Sequence, residues 1–185
     1  MDYIIVSLGA KLKEIEGDKA KEESIQNALS LFKCEKNLDE EEFLHHKAIF
    51  FERHNKARTY LLIKNSKIIA YFSIAFKSID LVTISKNKKK DITAGEEVET
   101  YSSYLIGHIA KCDGVEEKMF LTLLDNAMSL IYEAQSIIGG RLVYLDCKNE
   151  PKLIEKYEEY GFEYFGTSAE TGLRQYYMKI WLWKF

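Results

Sequence analysis

The clearest periodic pattern of apolar positions lies in the middle of the chain, after Asp113-Gly114. Apolar residues recur there at steps of three and four, at Phe120, Leu123, Leu124, Ala127, Leu130, Ile131 and Ala134. This spacing places them on one face of an α-helix. Because Gly139-Gly140 follows and glycine ends helices readily, the sequence predicts a long helix between the two glycine positions.

Short apolar runs elsewhere predict strands. They are Tyr3–Leu8, Arg58–Ile63, Ile68–Phe76, Tyr104–Ala110, Leu142–Leu145 and Gln175–Leu182. Only Lys64–Lys67 separates the second run from the third, which is the spacing of an antiparallel hairpin. The run before the long helix and the run after it form a strand–helix–strand unit, which favours parallel pairing. The sequence therefore predicts a mixed sheet.

Two further helices are predicted from their end signals. Asp39 is a candidate N-cap with Glu42 behind it, and this helix is expected to reach about Asn55. The other opens at Asn149-Glu150-Pro151, with proline in its first turn, and ends at Gly161. The stretch Lys11–Lys21 contains helix formers but little apolar periodicity.

The segment Ser85–Thr100 is predominantly charged. Lysines Lys86, Lys88, Lys89 and Lys90 are followed by Glu96, Glu97 and Glu99. We expect an exposed connection or a mobile flap there. No internal repeat or linker interrupts the rest, so residues 1–185 are expected to form one domain.

Composition narrows the function classes. The net charge is −3 and the pI is about 5.9, which gives no global electrostatic reason to bind nucleic acid. Three cysteines without paired spacing predict neither a disulfide framework nor a metal site. The first residues lack a secretion signal, and no apolar run is long enough to span a membrane. We therefore expect a cytoplasmic protein without a membrane partner.

Particular segments resemble the GNAT superfamily of N-acetyltransferases. Tyr157-Glu158-Glu159-Tyr160-Gly161-Phe162 resembles the Y-x-x-x-G-F signature near the end of these enzymes, and Leu142–Asp146 precedes it where they place a strand. Other stretches are similar to a bacterial subgroup that includes the acetyltransferase toxins of toxin–antitoxin pairs: Phe32-Lys33-Cys34, Leu38-Asp39, Ala57–Leu62, Ile69–Ser73, Tyr104–His108 and Gly139–Val143. The resemblance covers roughly Phe32 to Ile180. It implies an α/β (α+β) GNAT-type fold, with a mixed, centrally splayed sheet and helices on both faces.

The resemblance also implies transfer of an acetyl group from acetyl-CoA, a co-substrate, to an amine. In the family the strand equivalent to Leu105–Lys111 splays from its neighbour. Ile109, Ala110 and Lys111 would therefore hold the pantetheine arm through their main chain. Asn149 is placed among the cofactor-binding residues by the same likeness.

Tyr157 corresponds to the tyrosine that often protonates or orients the departing sulfur. Its spacing from Leu153 and Tyr160 on one helical face is equally that of a core residue. His108 and Glu99 are candidates for a base, although a single strand histidine is more often structural.

The pyrophosphate loop departs from the family pattern. The family uses Q/R-x-x-G-x-G/A at the start of the long helix, where backbone N–H groups approach the phosphates. Here the motif positions fall on Val115, Lys118 and Phe120, none of which matches. The expected cofactor-binding loop is nevertheless Gly114, Val115, Glu116, Glu117, Lys118, Met119 and Phe120. We place Glu116 and Glu117 in the first helical turn, where they would repel phosphate, while Lys111 and Lys118 would offset that charge.

Three hypotheses follow. The first is an active acetyltransferase with a variant loop, acting on a small-molecule or macromolecular amine. The second is a GNAT-fold binding or regulatory module that has lost catalysis. The third is a toxin-type enzyme that acts on aminoacyl-tRNA. The Lys86–Lys90 cluster favours this hypothesis, and the acidic net charge opposes it. Only this hypothesis requires a nucleic-acid partner. Monomer and homodimer are compatible with all three.

Overall fold

The computed structural model describes residues 3–82 and 84–183. The helices are α1 (Leu8–Glu14), α2 (Lys19–Ser30), α3 (Leu38–Glu42), α4 (Ala48–Arg53), α5 (Lys86–Thr93), α6 (Phe120–Ile138) and α7 (Pro151–Tyr160). A π-helical turn, Phe43–Lys47, joins α3 to α4, and a 3-10 turn, Ile180–Leu182, follows the last strand. The strands are β1 (Ile4–Ser7), β2 (Arg58–Lys64), β3 (Lys67–Asp80), β4 (Thr100–Lys111), β5 (Leu142–Cys147), β6 (Glu163–Thr167) and β7 (Arg174–Lys179).

Within these described ranges, seven strands form a sheet in the order β1-β2-β3-β4-β5-β7-β6. The β1–β2, β2–β3, β5–β7 and β6–β7 pairs are antiparallel, and β4 pairs with β5 in parallel. The parallel register joins Tyr104 to Val143 and Leu105 to Tyr144, a short ladder for strands of this length. The predicted mixed sheet is confirmed.

The chain forms two compact units, each built from two stretches of sequence. The first unit contains the residues up to Ala75 and Gly107–Ser129, and the second contains Phe76–Ile106 and the residues from Leu130 onward. Strands β3 and β4 and helix α6 contribute residues to both units. The prediction of a single domain stays a prediction.

The first unit packs its helices around aromatic side chains. Tyr71 of β3 is fully buried and contacts Phe32 edge-on and Phe43 face-on, with centroid distances of 5.3 and 6.3 Å. The rest of this core is aliphatic or small: Leu8, Leu29, Cys34, Leu44, Ala48, Leu61 and Ala110. Burial of each large apolar side chain in this core stabilises the folded state by roughly 1.5–3 kcal/mol. It gives the helices around Phe43 a fixed position over the strands.

A buried carboxylate also holds this unit together. Glu52 of α4 accepts hydrogen bonds from the Thr59 N–H at 2.5 Å and from the Arg58 guanidinium at 3.1 Å. Gly9 lies against the same carboxylate, and a β-carbon at Gly9 would be 2.5 Å from Glu52 Oε2. A side chain at Gly9 would therefore displace the Glu52 carboxylate from its present position.

The second unit has its core around β5 and β7. The buried residues are Ile79, Leu81, Ile92, Leu142, Tyr144 and Tyr177. Ile92 belongs to α5, which lies within the segment predicted to be an exposed connection or a mobile flap. The predicted connection therefore contains a helix, Lys86–Thr93, that the sequence did not indicate. Because only Ile92 and Thr93 of this short helix are buried, its sequence carries almost no apolar periodicity.

The end of the chain differs from the prediction in one element. Strand β6 was missed, and the last strand ends at Lys179 rather than at Leu182. All five residues of β6 are exposed or half-buried, so no apolar run marks it. An edge strand such as this one leaves a weak signal in sequence.

The predicted helices are confirmed with shifted ends. The segment from Leu38 to Arg53 is helical, although the π turn interrupts it. Helix α6 begins at Phe120, so the residues before Phe120 form a loop rather than a first helical turn. No described helix is both long enough and apolar enough to cross a membrane.

Candidate functional site

The residues predicted to hold the pantetheine arm lie at the end of β4, in the first unit. Ala110 is buried in the core, whereas Ile109 and Lys111 are half-buried. The chain then leaves the strand, and the Cys112 N–H donates to the carbonyl of Ile69 at 2.9 Å. The structure brings these three residues next to the predicted pyrophosphate loop. Their main-chain role stays a prediction.

The loop after β4 is held by its own lysine. The ammonium of Lys111 donates to the carbonyl of Val115 and, at 3.5 Å, to the carbonyl of Glu117. The Asp113 N–H donates to Lys33 O, and Asp113 Oδ2 accepts from the Glu35 N–H, both at 2.8 Å. These contacts fix the path of the loop. They also commit Lys111 to carbonyl groups rather than to an incoming anion.

Gly114 allows the chain to turn within the predicted pyrophosphate loop. Its φ is +76°, a left-handed conformation that glycine adopts without strain. A β-carbon there would meet nothing within 4 Å, so the requirement for glycine is conformational rather than steric.

The acidic residues of the loop lie elsewhere than predicted. Glu116 and Glu117 precede α6, and its first turn contains no acidic residue. Glu117 pairs with the Lys64 ammonium at 2.6 Å, and this hydrogen bond holds the pKa of Glu117 below its ordinary value. Met119 is buried, whereas Lys118 is exposed. The repulsion of phosphate by the first turn of α6 is therefore weaker than the sequence suggested.

The Tyr157 to Phe162 signature lies in the second unit. Helix α7 ends at Gly161, whose φ of +110° turns the chain so that the Phe162 N–H donates to Tyr157 O at 3.0 Å. The two rings then meet edge-on, with centroids 5.8 Å apart. Tyr157 is buried, as the core interpretation predicted, and its catalytic role stays a prediction. Asn149 is exposed just before α7.

The two candidate bases have different surroundings. Glu99 is exposed in the second unit, immediately before β4. His108 lies in the first unit, where its Nδ1 is 2.8 Å from Glu40 Oε2. Its ring stacks on Phe43 with a centroid distance of 3.6 Å and an interplanar angle of 16°. Sequence reasoning missed Glu40, because it stands in an acidic run that resembles an ordinary helix start.

Tyr71 completes this cluster. Its hydroxyl donates to the main-chain carbonyl of Glu40 at 2.6 Å and to Glu40 Oε2 at 3.0 Å. Burial, followed by the nearby carboxylate of Glu40, raises the pKa of Tyr71 far above its ordinary value. The hydroxyl therefore keeps its proton and remains a donor. We call Glu40, Tyr71 and His108 the histidine cluster.

The lysines of α5 belong to the second unit. Lys88 donates to Tyr164 O at 2.6 Å and lies over the Tyr177 ring at 5.0 Å. Lys86 and Lys90 are exposed. A cavity of about 330 Å³ is lined by lysines and by acidic residues together: Lys86, Lys89, Lys90, Glu96, Glu97 and Glu99. Its mixed charge is unlike a uniformly basic patch.

A larger cavity of about 640 Å³ lies in the first unit beside α1 and α4. Its charged lining is largely paired internally, since Glu22 contacts Arg53 and Glu52 contacts Arg58. All three cysteines are free, and burial raises the pKa of the Cys147 thiol to about 11. Among the described residues, no group of three or more His, Cys, Asp or Glu side chains is placed to hold a metal ion.

The order of strands and helices is that of a GNAT-type fold, as the resemblance predicted. The chain is similar to a tyrosine-to-phenylalanine mutant of the toxin AtaT bound to the C-terminus of the antitoxin AtaR and acetyl-CoA. The TM-score is 0.66, the identity is 15%, and the match covers 98% of this chain and 96% of that one.

Two further solved structures extend the comparison. AtaT complexed with acetyl-methionyl-tRNAfMet matches with a TM-score of 0.63 and 20% identity, over 82% of this chain and 86% of that one. A tyrosine-to-phenylalanine mutant of KacT matches with a TM-score of 0.65 and 15% identity, over 83% and 88%. At these identities the likeness establishes the fold. The sequence matches no protein-family model and no curated protein.

Proposed function

We propose that this protein is an acetyl-CoA-dependent N-acetyltransferase. The observation that carries the proposal is its fold, which it shares over 98% of its length with a toxin bound to acetyl-CoA. Fold alone does not define an activity, so the proposal depends also on the loop that would receive the cofactor.

The loop between β4 and α6 supports cofactor binding through its main chain. Helix α6 is 19 residues long, and its first turn is free of acidic residues, so its N-terminal end favours an anion. Lys64 balances the charge of Glu117, and Gly114 allows the turn that precedes the helix. We propose that Gly114–Phe120 receives the pyrophosphate and that Ile109, Ala110 and Lys111 receive the pantetheine arm.

Isothermal titration calorimetry tests this proposal. Acetyl-CoA should bind saturably, and acetyl-pantetheine, which lacks the pyrophosphate and the nucleotide, should bind at least tenfold more weakly. No heat at millimolar acetyl-CoA would reject the acetyltransferase and favour the binding or regulatory module. Equal affinity for the two compounds would instead reject the loop as the pyrophosphate site.

Tyr157 remains our proposed acid for the departing thiolate. The change Tyr157→Phe should lower the acetylation rate by about 10- to 100-fold while leaving the affinity for acetyl-CoA nearly unchanged, because only proton transfer is lost. Tyr164→Phe is a matched control, since Tyr164 is exposed and its hydroxyl contacts Thr167. An unaffected rate in Tyr157→Phe would leave Tyr157 a core residue alone.

Aminoacyl-tRNA is our proposed acceptor. The specific observation in its favour is the similarity to AtaT complexed with acetyl-methionyl-tRNAfMet. Helix α5 offers the exposed lysines Lys86 and Lys90, whereas Lys88 is occupied by Tyr164 O. A charge reversal should therefore use the two exposed positions.

The double change Lys86→Glu and Lys90→Glu should weaken binding of methionyl-tRNA, most clearly at low salt. The matched control is Lys36→Glu with Lys67→Glu, which alters the net charge equally at exposed positions of the first unit. Equal effects of the two double variants would remove α5 from the tRNA-binding surface. Acetylation of free amines but not of methionyl-tRNA would point to a small-molecule acceptor.

A further inference from the structure

Three polar side chains from separate elements of the first unit converge on one carboxylate oxygen. Glu40 belongs to α3, Tyr71 to β3 and His108 to β4. Glu40 Oε2 lies 2.8 Å from His108 Nδ1 and 3.0 Å from the Tyr71 hydroxyl. A single oxygen thus contacts both partners.

The ring of His108 is held in one orientation. Phe43 stacks against it at 3.6 Å, and Phe43 is itself fixed by an edge contact with Phe51 at 5.5 Å and by the buried Tyr71 ring. The His108 side chain nevertheless retains 28% of its exposure, against 15% for Glu40. The ring of His108 is therefore partly accessible from solvent.

The hydrogen bonds determine which ring nitrogen carries a proton. Tyr71 remains protonated and donates to Glu40. Because a carboxylate only accepts hydrogen bonds, its contact with His108 needs a hydrogen on the ring nitrogen. Nδ1 therefore carries the hydrogen, and Nε2 carries the lone pair of the neutral ring. Within residues 3–82 and 84–183, no hydrogen bond to Nε2 is formed.

The carboxylate of Glu40, from α3, contacts the ring of His108, and the Tyr71 hydroxyl, from β3, contacts the same carboxylate. Cys34, in the loop before α3, is within electrostatic reach of Glu40, and its pKa is raised by burial first and then by Asp113. Cys34 therefore keeps its thiol proton and adds no charge beside His108.

We propose that His108 is the general base of the acetyl transfer and that Glu40 is the residue that positions it; this rests on the proposed acetyltransferase function. Nε2 takes a proton from the acceptor ammonium, and the freed amine lone pair forms a C–N bond with the thioester carbonyl. The carbonyl π electrons move to oxygen and return as the C–S bond breaks. Tyr157, the acid proposed above, protonates the leaving thiolate and is reprotonated by the second nitrogen proton, and the imidazolium releases its proton to solvent.

One experiment separates this role from a purely structural contact. In His108→Asn the side-chain amide N–H₂ can still donate to Glu40, but the position of Nε2 is empty. With methionyl-tRNA as acceptor, kcat should fall by about 100-fold, and the acid limb of the kcat/KM profile should then report only the ionisation of the acceptor amine. His54→Asn is the matched control, since His54 is exposed and its Nδ1 lies 2.8 Å from the main-chain oxygen of Phe50.

A second measurement does not depend on catalysis. Nitrogen-15 NMR of histidine-labelled protein, with His108→Asn to assign the signal, should show the Nδ1–H tautomer of His108. In Glu40→Gln this preference should weaken, and kcat should fall by about tenfold with acetyl-CoA affinity unchanged. An Nε2–H tautomer in the unaltered protein would overturn the proposal.

The outcomes distinguish the proposal from the function on which it rests. Absence of acetyl-CoA binding by the unaltered protein would remove both. Normal acetylation with an unchanged pH profile in His108→Asn would remove the base and leave the acetyltransferase. If acetyl-CoA binds but methionyl-tRNA is not acetylated, the acceptor is wrong, and the NMR result then decides: the Nδ1–H tautomer supports the base and the Nε2–H tautomer overturns it.

Discussion

The loop Lys111–Phe120 and the histidine cluster lie in the same unit but use their polar groups in opposite ways. In the loop, the charged side chains are directed to internal partners: Lys111 binds loop carbonyls, and Glu117 binds Lys64. In the cluster, the hydrogen bonds converge on Glu40, and His108 Nε2 has no hydrogen bond to any residue that the structure describes. Cofactor binding would therefore depend on main-chain groups of the loop, whereas proton transfer would depend on the oriented side chain of His108.

The largest expected effect comes from removing the ring of Phe43, which stacks on His108 in the histidine cluster. Phe43→Ala should cost about 3–5 kcal/mol of unfolding free energy, because Phe43 is 2% exposed and contacts three aromatic rings. Urea denaturation measures the loss. Phe50→Ala, at a position that is 47% exposed, is the control and should cost far less. Equal losses would mean that the ring of Phe43 does not organise the cluster.

The next effect tests whether Lys111 organises the loop. Lys111→Met should lower the unfolding free energy by about 2 kcal/mol, since it leaves the carbonyls of Val115 and Glu117 without their charged donor. Amide hydrogen exchange should rise in the loop more than in α6. The exposed Lys118 is the matched position, and Lys118→Met should change neither quantity. Unchanged exchange in Lys111→Met would show that the loop is held by other contacts.

A smaller effect tests the donor of the histidine cluster. Tyr71→Phe should cost about 1 kcal/mol at neutral pH, because Glu40 loses a hydrogen bond. The pKa of Tyr71 is raised in the folded state, so the unfolded chain loses this proton first as the pH increases. The unfolding free energy of the unaltered protein therefore exceeds that of Tyr71→Phe by its full amount below pH 10. Above pH 10 this difference should shrink by about 1.4 kcal/mol per pH unit.

Chemical denaturation of both proteins between pH 7 and pH 11 measures this difference. Tyr164→Phe, at an exposed tyrosine, should show no comparable pH dependence. A constant difference across the range would mean that the Tyr71 phenol ionises as freely in the folded protein as in the unfolded chain.

The smallest effect concerns the charge of the loop. Glu117→Gln should tighten acetyl-CoA binding about threefold, because it removes a negative charge and releases Lys64, and the gain should decline at high salt. Titration calorimetry at two salt concentrations measures it, with Glu14→Gln, at an exposed position of α1, as control. Unchanged affinity would place the phosphates away from Glu117.

The same substitution has a pH signature. The pKa of Glu117 is depressed in the folded state below its ordinary value of 4.5. Its contribution to stability is therefore present above about pH 4.5 and is lost as the pH falls through the folded value. Thermal melts should separate the two proteins at neutral pH and bring them together in acid.

Periodicity was a good guide to the fold wherever one face of an element is buried. Helix α6 and strands β2, β3 and β5 were predicted because their apolar residues repeat with the period of their structure. Strand β6 and helix α5 were not, because an exposed edge strand and a helix with two buried residues leave no such repeat. Glycine was also informative, because Gly161, predicted to end a helix, does so with a positive φ.

The candidate site was less predictable than the fold. The position of the loop followed from the resemblance, but its pairing of Glu117 with Lys64 spans 53 residues and has no local signal. The start of α6 at Phe120 also moved Glu116 and Glu117 out of the helix. Helix ends are set by capping and packing together, so apolar spacing alone located this one only roughly.

The sequence by itself determined helix α6, the strands whose apolar residues are buried and the turn at Gly161, because periodicity and glycine conformations are local properties. Only the tertiary structure decided that Glu40 and His108, 68 residues apart, share a hydrogen bond under the ring of Phe43. A carboxylate in an acidic helix start and a histidine in a strand are individually unremarkable. They become a candidate proton acceptor because packing of the first unit brings α3 against β4 and directs both side chains to one point.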